Sequence, residues 1–325
     1  MSAALQWRGT CQSRLIQAVV GLRHPLLHRP AAPITPRRFA SVAASAASAL
    51  TMAVPYNLAP LPIVGAVVEG VDLNAPVSED LAATITHDAF EHSLLLFRGQ
   101  GKVSGDRQCE ISRWFGEIES RPFGKHPRSP NTDVFRVSNV AAEGCTGVGR
   151  TGWHIDGSFM DAPYQVSCYH MHAVPTRGAT AFVSLEALIN RMSDDQRSKW
   201  DRLWMCSDRQ TGPQHPVLYK HPVTGRSTMC LHLGMTRGFI WDKGTPDSRV
   251  TGEAETEALL GELEQLLQEN EDLVYRHEWK DGDFLITDNL ALAHEATPET
   301  QLPVSQVGLR ILHRTTVAGV HVPSK

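Results

Sequence analysis

The sequence predicts a mainly β fold with helical decoration, a sandwich or barrel formed as one domain over residues 55–322. Three observations carry this expectation. Short apolar runs rich in β-branched residues recur along the chain, bounded by Gly, Pro, Asn and Asp. Helical patterns are few and sit as insertions among those runs. The chain shows no internal repeat and no G-x-G-x-x-G motif.

Ile63 to Val71 reads as the first strand. Ser78 is an N-cap, with Glu79 and Asp80 in the first turn and Leu81, Ile85 and Ala89 on one helical stripe. Leu94 to Phe97 is a short buried strand, and Asp106 to Phe115 is helical up to Gly116. A Pro/Gly/Arg-rich loop over 119–132 leads to a strand, Val134 to Val140, and then to a Gly-rich loop over 141–151. Val166 to Val174 and Thr180 to Ser184 read as strands, with helical runs at about 185–191 and 194–205. The stretch 206–240 reads as pocket loop, like 119–132 and 141–151. Thr251 caps the clearest helix, whose apolar stripe is Leu259, Leu260, Leu263, Leu266 and Leu267. Glu253 and Glu255 suit its positive N-terminal end. Tyr275 to Trp279 and Phe284 to Thr287 flank the turn Lys280 to Asp283, and Val307 to Val317 is the last strand.

The N-terminal segment has a different composition. No Asp or Glu precedes Glu69, while six arginines do (Arg8, Arg14, Arg23, Arg29, Arg37 and Arg38). Residues 1–52 therefore read as a disordered organelle transit peptide, because acidic residues would oppose import by membrane potential. Arg37-Arg38-Phe39-Ala40-Ser41 is similar to a mitochondrial processing site, so the mitochondrial matrix is the expected location. Richness in Ser and Ala keeps a chloroplast open, and initiation at Met52 would leave a cytoplasmic form.

The rest of the composition limits the function. A hydrophobic content of 42% supplies a core, and a net charge of -4 argues against a nucleic-acid or anionic-membrane partner. No apolar run approaches the roughly 18 residues that span a bilayer. The six cysteines (Cys11, Cys109, Cys145, Cys168, Cys206 and Cys230) form no C-x-x-C and read as free thiols of a reducing compartment. A small-molecule substrate is the expected partner, and self-association into a homo-oligomer is left open.

The chemistry is carried by His154 and Asp156, within Trp-His-Ile-Asp-Gly, and by His294 far downstream. An H-x-D with a distant His can hold one Fe(II) on one face and leave the other face open. Alone, H-x-D is a weak signal, and His154 could be a loop histidine bonded to Asp156. Trp153 and Phe159 add apolar shielding, and the turn-strand Asp281 to Asn289 sends the chain inward before His294. In the last strand, period two puts Arg310, Leu312 and Arg314 on one face. Two arginines in one interior need an anion such as a dicarboxylate, unless they lie exposed or pair with acids. His170 and His172, two apart on a strand, read as structural or pocket-lining.

From about 60 to 320 the chain resembles the TauD/TfdA-like group of Fe(II)/2-oxoglutarate-dependent oxygenases (taurine/chlorophenoxyacetate dioxygenases). The resemblance rests on Gly65-Ala66 with Asp72-Leu73, Leu96-Phe97-Arg98-Gly99-Gln100, Phe115-Gly116 and Trp153-His154-Ile155-Asp156. It continues through Gly178-Ala179-Thr180, Gly282-Asp283, Asp288-Asn289, His294, and Arg310 with His313-Arg314. It implies a double-stranded β-helix, the cupin-like jelly roll. It implies that His154, Asp156 and His294 bind iron and that Thr180 and Arg310 hold the distal carboxylate of 2-oxoglutarate. Arg314 would sit beside them, near the cosubstrate or an acidic group of the substrate.

Three departures bear on the substrate. The spacing between His294 and Arg310 is longer than in the taurine enzyme. Arg121 follows Phe-Gly where that enzyme places a substrate-binding His, and so is a substrate-site candidate. Gly157 leaves its N–H free to approach a substrate. The implied reaction consumes O2 and 2-oxoglutarate, releases succinate and CO2, and hydroxylates a small, anionic organic metabolite. The retained carboxylate of Asp156 separates it from related halogenases. The alternatives are a catalytically silent jelly-roll binding protein and a butyrobetaine- or trimethyllysine-type hydroxylase.

Overall fold

A computed structural model describes residues 56–119, 126–208 and 212–325. The transit-peptide expectation for residues 1–52 and the role expected of Arg121 lie outside them. The strands, in chain order, begin with β1 (Asn57–Pro60), β2 (Ala66–Glu69), β3 (Leu94–Phe97), β4 (Phe135–Ser138), β5 (Val166–Ala173) and β6 (Thr180–Ser184). Next come β7 (Leu203–Ser207), β8 (Gln214–Pro216), β9 (Leu218–Lys220), β10 (Ser227–Met229), β11 (Thr236–Trp241) and β12 (Arg249–Val250). The last four are β13 (Val274–His277), β14 (Phe284–Asp288), β15 (Leu292–Ala296) and β16 (Ile311–Val317). The helices are α1 (Glu79–His92), α2 (Gly105–Arg113), α3 (Leu185–Arg191), α4 (Asp194–Asp201), α5 (Glu253–Glu269) and the short α6 (Val304–Val307).

Two sheets make the jelly-roll sandwich. The larger runs β1-β2-β3-β14-β5-β16-β4, and the smaller runs β13-β6-β15. Period-two alternation decides what each strand sends inward. Leu94, Leu96, Tyr169, Met171, Leu285 and Leu312 of the larger sheet meet Phe182, Tyr275 and Leu292 of the smaller, with Trp279 just beyond β13. The opposite face of the larger sheet, with Leu95, Phe97, Val166, Cys168 and Phe284, packs on Ile85, Ala89 and Phe90 of α1 and Ile111 of α2. The outer face of the smaller sheet, with Ala181, Val183 and Ala293, packs on the inserted layer of α3, Trp200 of α4, α5 and the β7/β11 pair. The same parity that buries Phe182 and Leu292 sends Thr180 and His294 into the sandwich.

The mainly β expectation holds, and several local readings change. Ile63–Val71 is not one strand. Gly65, at φ +90, turns the chain, and β1 pairs back on β2 as a hairpin. The helix expected to reach residue 205 ends at Asp201, because Leu203–Ser207 pairs with β11. The 206–240 stretch is not simply loop: β8 to β11 lie in it, too short and polar to announce themselves singly. Thr251 does not cap α5. Gly252 holds that position without a side-chain bond, while Thr251 Oγ1 accepts from Phe239 N at 2.9 Å. The last strand begins at Ile311, after α6 and Gly308 at φ +80.

Among the described residues, no helix is long and apolar enough to cross a membrane. Cys109, Cys145, Cys168, Cys206 and Cys230 are free thiols.

Candidate metal centre and substrate cavity

His154 lies in no regular strand. It forms isolated bridges to both His232 and His294. His154 N–H donates to the His294 carbonyl at 3.1 Å, and His294 N–H donates back at 2.9 Å. The two histidines are therefore locked backbone to backbone, and their rings stand 4.4 Å apart. His154 Nδ1–H donates to the Gly152 carbonyl at 2.7 Å, so its Nε2 keeps a lone pair for a ligand. Asp156 is held by its own peptide groups. Its N–H donates to Asn289 Oδ1 at 2.8 Å, and its carbonyl accepts from Asn289 Nδ2 at 2.9 Å. Gly157 follows at φ +78, where a Cβ would stand 2.8 Å from Tyr164.

One ligand atom from each of His154, Asp156 and His294 lies within 4.8 Å of the others. His154 Nε2 is 3.9 Å from Asp156 Oδ1, and His294 Nε2 is 3.7 Å from Asp156 Oδ2. Burial holds both imidazoles neutral, His294 at about 3. For Asp156, burial works against ionisation, but the adjacent Arg314 guanidinium overcomes it and holds the carboxyl at about 2. Neutral imidazoles and an ionised carboxylate are the forms that bind a metal. Two N donors and one O donor, without thiolate, suit Fe(II) rather than a structural zinc site.

Beside the triad opens a cavity of about 360 Å3, a size suited to a small organic molecule. His154, Asp156, Gly157, His232 and Arg314 line its metal end, with Phe135, Phe159 and Tyr164 giving apolar walls. Thr132, Val148, Gly149 and Thr151 come from the loops expected to line a pocket, and His232 and Met235 from the stretch between β10 and β11. Arg314 leaves β16 on its inner face and donates from Nη1 to Asp156 Oδ2 at 2.7 Å.

A family model described as "Taurine catabolism dioxygenase TauD, TfdA family" matches residues 57–316. The chain belongs to this family. Among its relatives, an alkylsulfatase of Acinetobacter baylyi is 24% identical over 294 residues, spanning 79% of this chain and 82% of the relative. A 2,4-dichlorophenoxyacetate dioxygenase of Cupriavidus pinatubonensis is 28% identical over 258 residues, spanning 72% and 88%. A taurine dioxygenase from Burkholderia xenovorans superposes with a TM-score of 0.66 at 25% identity, over 82% of this chain and 92% of that one. AAD-2, solved with Mn(II) and N-oxalylglycine, shares the fold at a TM-score of 0.66 and 20% identity, over 83% and 99%. This TauD/TfdA-family chain is an Fe(II)- and 2-oxoglutarate-dependent dioxygenase, and its His-Asp-His group fits the iron site.

Thr180 and Arg310, expected at the cosubstrate, do not line the cavity. Thr180 is buried on the inner face of β6, where its Oγ1 accepts from the Trp279 indole at 3.1 Å. Arg310 precedes β16, and the ladder shifts register between Ile311 and Leu312. The extra residue of that shift is His172 on β5, and β16 pairs with β4 without interruption from Ile311 to Arg314, so the count in twos along β16 stands, with Arg310 one residue before the paired strand. Arg310 is 2% exposed, its side chain meets no anion among the described residues, and its Nε has no partner. Burial lowers its pKa to about 10. An unpaired buried guanidinium is costly and suits an anionic ligand. Arg314 differs, since it has found Asp156.

Two contributors were not singled out from sequence. Asn289 clamps Asp156, although the sequence gives it only as part of an Asp-Asn pair. His232 stacks on His154 with ring centroids 4.9 Å apart, accepts from Met235 N at Nδ1 and so carries its proton on Nε2, and it lines the cavity. No spacing rule connects it to a motif 78 residues earlier. His170 and His172 are joined by His313, with ring centroids 4.4 and 3.9 Å apart in series. Among the described residues only the triad brings three such ligand atoms within 4.8 Å of one another.

Proposed function

We propose that His154, Asp156 and His294 hold one Fe(II), and that Thr180 and Arg310 take the distal carboxylate of 2-oxoglutarate. Arg314 and Gly157 then face the primary substrate, a small anionic organic molecule that is hydroxylated with release of succinate and CO2. The observation that carries this reading is the buried triad at the end of the cavity, with a guanidinium in the adjoining wall. When bound, iron with 2-oxoglutarate and O2 supplies the oxidising power. The residues do the rest. His154 and His294 present lone pairs, Asp156 presents charge, and Asn289 fixes the carboxylate's backbone. Phe135, Phe159 and Tyr164 keep water from the reacting carbon.

An acidic group on the substrate is supported by the cationic wall and by relatives named for phenoxypropionate, 2,4-dichlorophenoxyacetate and alkyl sulfate chemistry. The test is succinate release by the Fe(II)-loaded protein with ascorbate and 2-oxoglutarate. The panel is sulfonates, sulfate esters, aryloxy acids and amino-acid derivatives. Succinate coupled to one anionic class is the expected result. Its absence throughout favours a silent jelly roll. We further propose that residues 1–52 direct import into mitochondria. A fluorescent fusion of that segment should enter the organelle, and a protein begun at Met52 should not.

A further inference from the structure

Trp279 stands outside every site assigned so far, yet its indole N–H ends on Thr180. We propose that Trp279 is a positioning residue for the cosubstrate, fixing the direction in which the Thr180 hydroxyl donates its proton. The proposal rests on the reading of Thr180 as a 2-oxoglutarate contact.

An indole N–H can only donate. At 3.1 Å from Thr180 Oγ1 it occupies a lone pair of that oxygen. Among the described residues the hydroxyl has no other partner, so its own proton is unspent. Thr180 and Trp279 are 5% and 7% exposed, so bulk water does not compete for either group. A free threonine hydroxyl rotates among several directions. One whose lone pair is pinned presents its proton over a narrow arc, and a carboxylate oxygen in the sandwich interior can receive it.

The indole is itself held in place. Trp279 lies two residues beyond His277, which pairs with Thr180 across the β13–β6 ladder. Its ring meets His277 edge to face, at 4.5 Å and 89°. His277 Nε2–H donates to Asp283 Oδ2 at 3.1 Å, and its Nδ1 accepts from the Tyr275 hydroxyl at 3.0 Å. Asp283 also accepts from Arg98 Nη1 and from Lys280 N–H. The Gly282-Asp283 turn thus orients His277, His277 orients Trp279, and Trp279 orients Thr180.

The test is calorimetric titration of 2-oxoglutarate into the full-length Mn(II) protein as wild type, Trp279→Phe, Thr180→Val and the double variant. Trp279→Phe should weaken 2-oxoglutarate about 3- to 10-fold, the range of one hydrogen bond. Mn(II) affinity should stay at the wild-type value, and the fold should persist with a melting temperature lowered by the smaller ring in the core. The double variant should bind no more weakly than Thr180→Val alone, since the indole acts only through that hydroxyl. Unchanged affinity in Trp279→Phe beside a weakened Thr180→Val overturns the proposal, as do additive losses. Unchanged affinity in Thr180→Val overturns the reading of Thr180 and the proposal with it. A wild-type measurement stands in should Trp279→Phe not fold. In 15N-tryptophan protein loaded with Zn(II), the indole resonance that Thr180→Val displaces should move on adding 2-oxoglutarate, and a stationary resonance overturns the proposal.

Discussion

Arg314 donates from Nη1 to Asp156 Oδ2 at 2.7 Å, tying the last strand of the larger sheet to the carboxylate of the proposed metal centre. Both side chains are largely shielded from water, so the pair is not screened as a surface pair would be. The guanidinium holds one carboxylate oxygen and leaves the other for a metal. It also keeps Asp156 ionised against its burial.

Arg314→Met should therefore damage metal binding as well as substrate binding. Outer partners of metal ligands typically contribute roughly 10- to 100-fold in affinity. Calorimetry with Mn(II) at neutral pH should show a loss in that range, with partial recovery in Arg314→Lys, which restores charge but not the planar fork. Wild-type Mn(II) affinity in Arg314→Met would confine Arg314 to the substrate.

Removing Asp156 or either histidine should abolish substrate-coupled succinate release and spare the fold. The fold is expected to survive because the His154–His294 lock is made by backbone groups, which His154→Ala leaves in place. Chelation of the iron-loaded wild type should give the same loss, reversed by Fe(II) and not by Zn(II). Circular dichroism should report the same secondary structure in all of these states. Turnover at wild-type rate in Asp156→Ala would end the triad assignment.

What the sequence made legible follows from short apolar runs and from local motifs. Short apolar runs at Phe284 to Thr287 and Val166 to Val174 announced strands, and H-x-D with Trp153 and Phe159 beside it announced the triad. His294 itself sits on a strand, Leu292–Ala296, whose Ala-rich run carries little β signal, so its inward direction was inferred from the preceding turn. Arg310 was placed by counting in twos along the last strand, whose pairing begins one residue later, at Ile311. His232 reaches His154 through a bridge between distant segments, a contact that no local pattern encodes. Thr251 has the chemistry of a cap but is spent on Phe239 N–H, so Gly252 takes the position.

Arg310 yields a prediction that couples stability to ligand. A buried guanidinium without an anion destabilises the ligand-free protein. Arg310→Met, similar in length and uncharged, should melt at or above the wild-type temperature when no ligand is present. Wild type should gain stability on adding N-oxalylglycine with Mn(II), and the variant should gain little. The KM for 2-oxoglutarate should rise roughly 10- to 100-fold, the range of a charge-assisted bidentate contact, with a far smaller change for the primary substrate. A full ligand-induced shift in Arg310→Met would move the cosubstrate's distal carboxylate elsewhere.

The second histidine group predicts the acid side of the stability profile. Burial pushes His313 down to about 2 and His172 down to about 4, and it lowers His170 as well. Arg136 Nη1 donates to His313 Nε2 at 2.7 Å, which requires that nitrogen to be unprotonated, so the folded state favours a neutral His313 ring. Unfolded histidines titrate near 6.5. Above that pH neither state carries these protons and stability does not depend on them. As pH falls from about 6.5, the unfolded chain takes up protons that the folded state refuses, and stability drops. For His313 alone the slope approaches about 1.4 kcal/mol per pH unit and persists toward its folded value, whereas the share of His172 levels off near pH 4. Urea unfolding of the metal-free protein at pH 7, 6 and 5 should show this decline. In His313→Asn, which keeps an acceptor for Arg136, the decline should be shallower by about one proton. An identical slope in that variant would mean that His313 is already protonated in the fold.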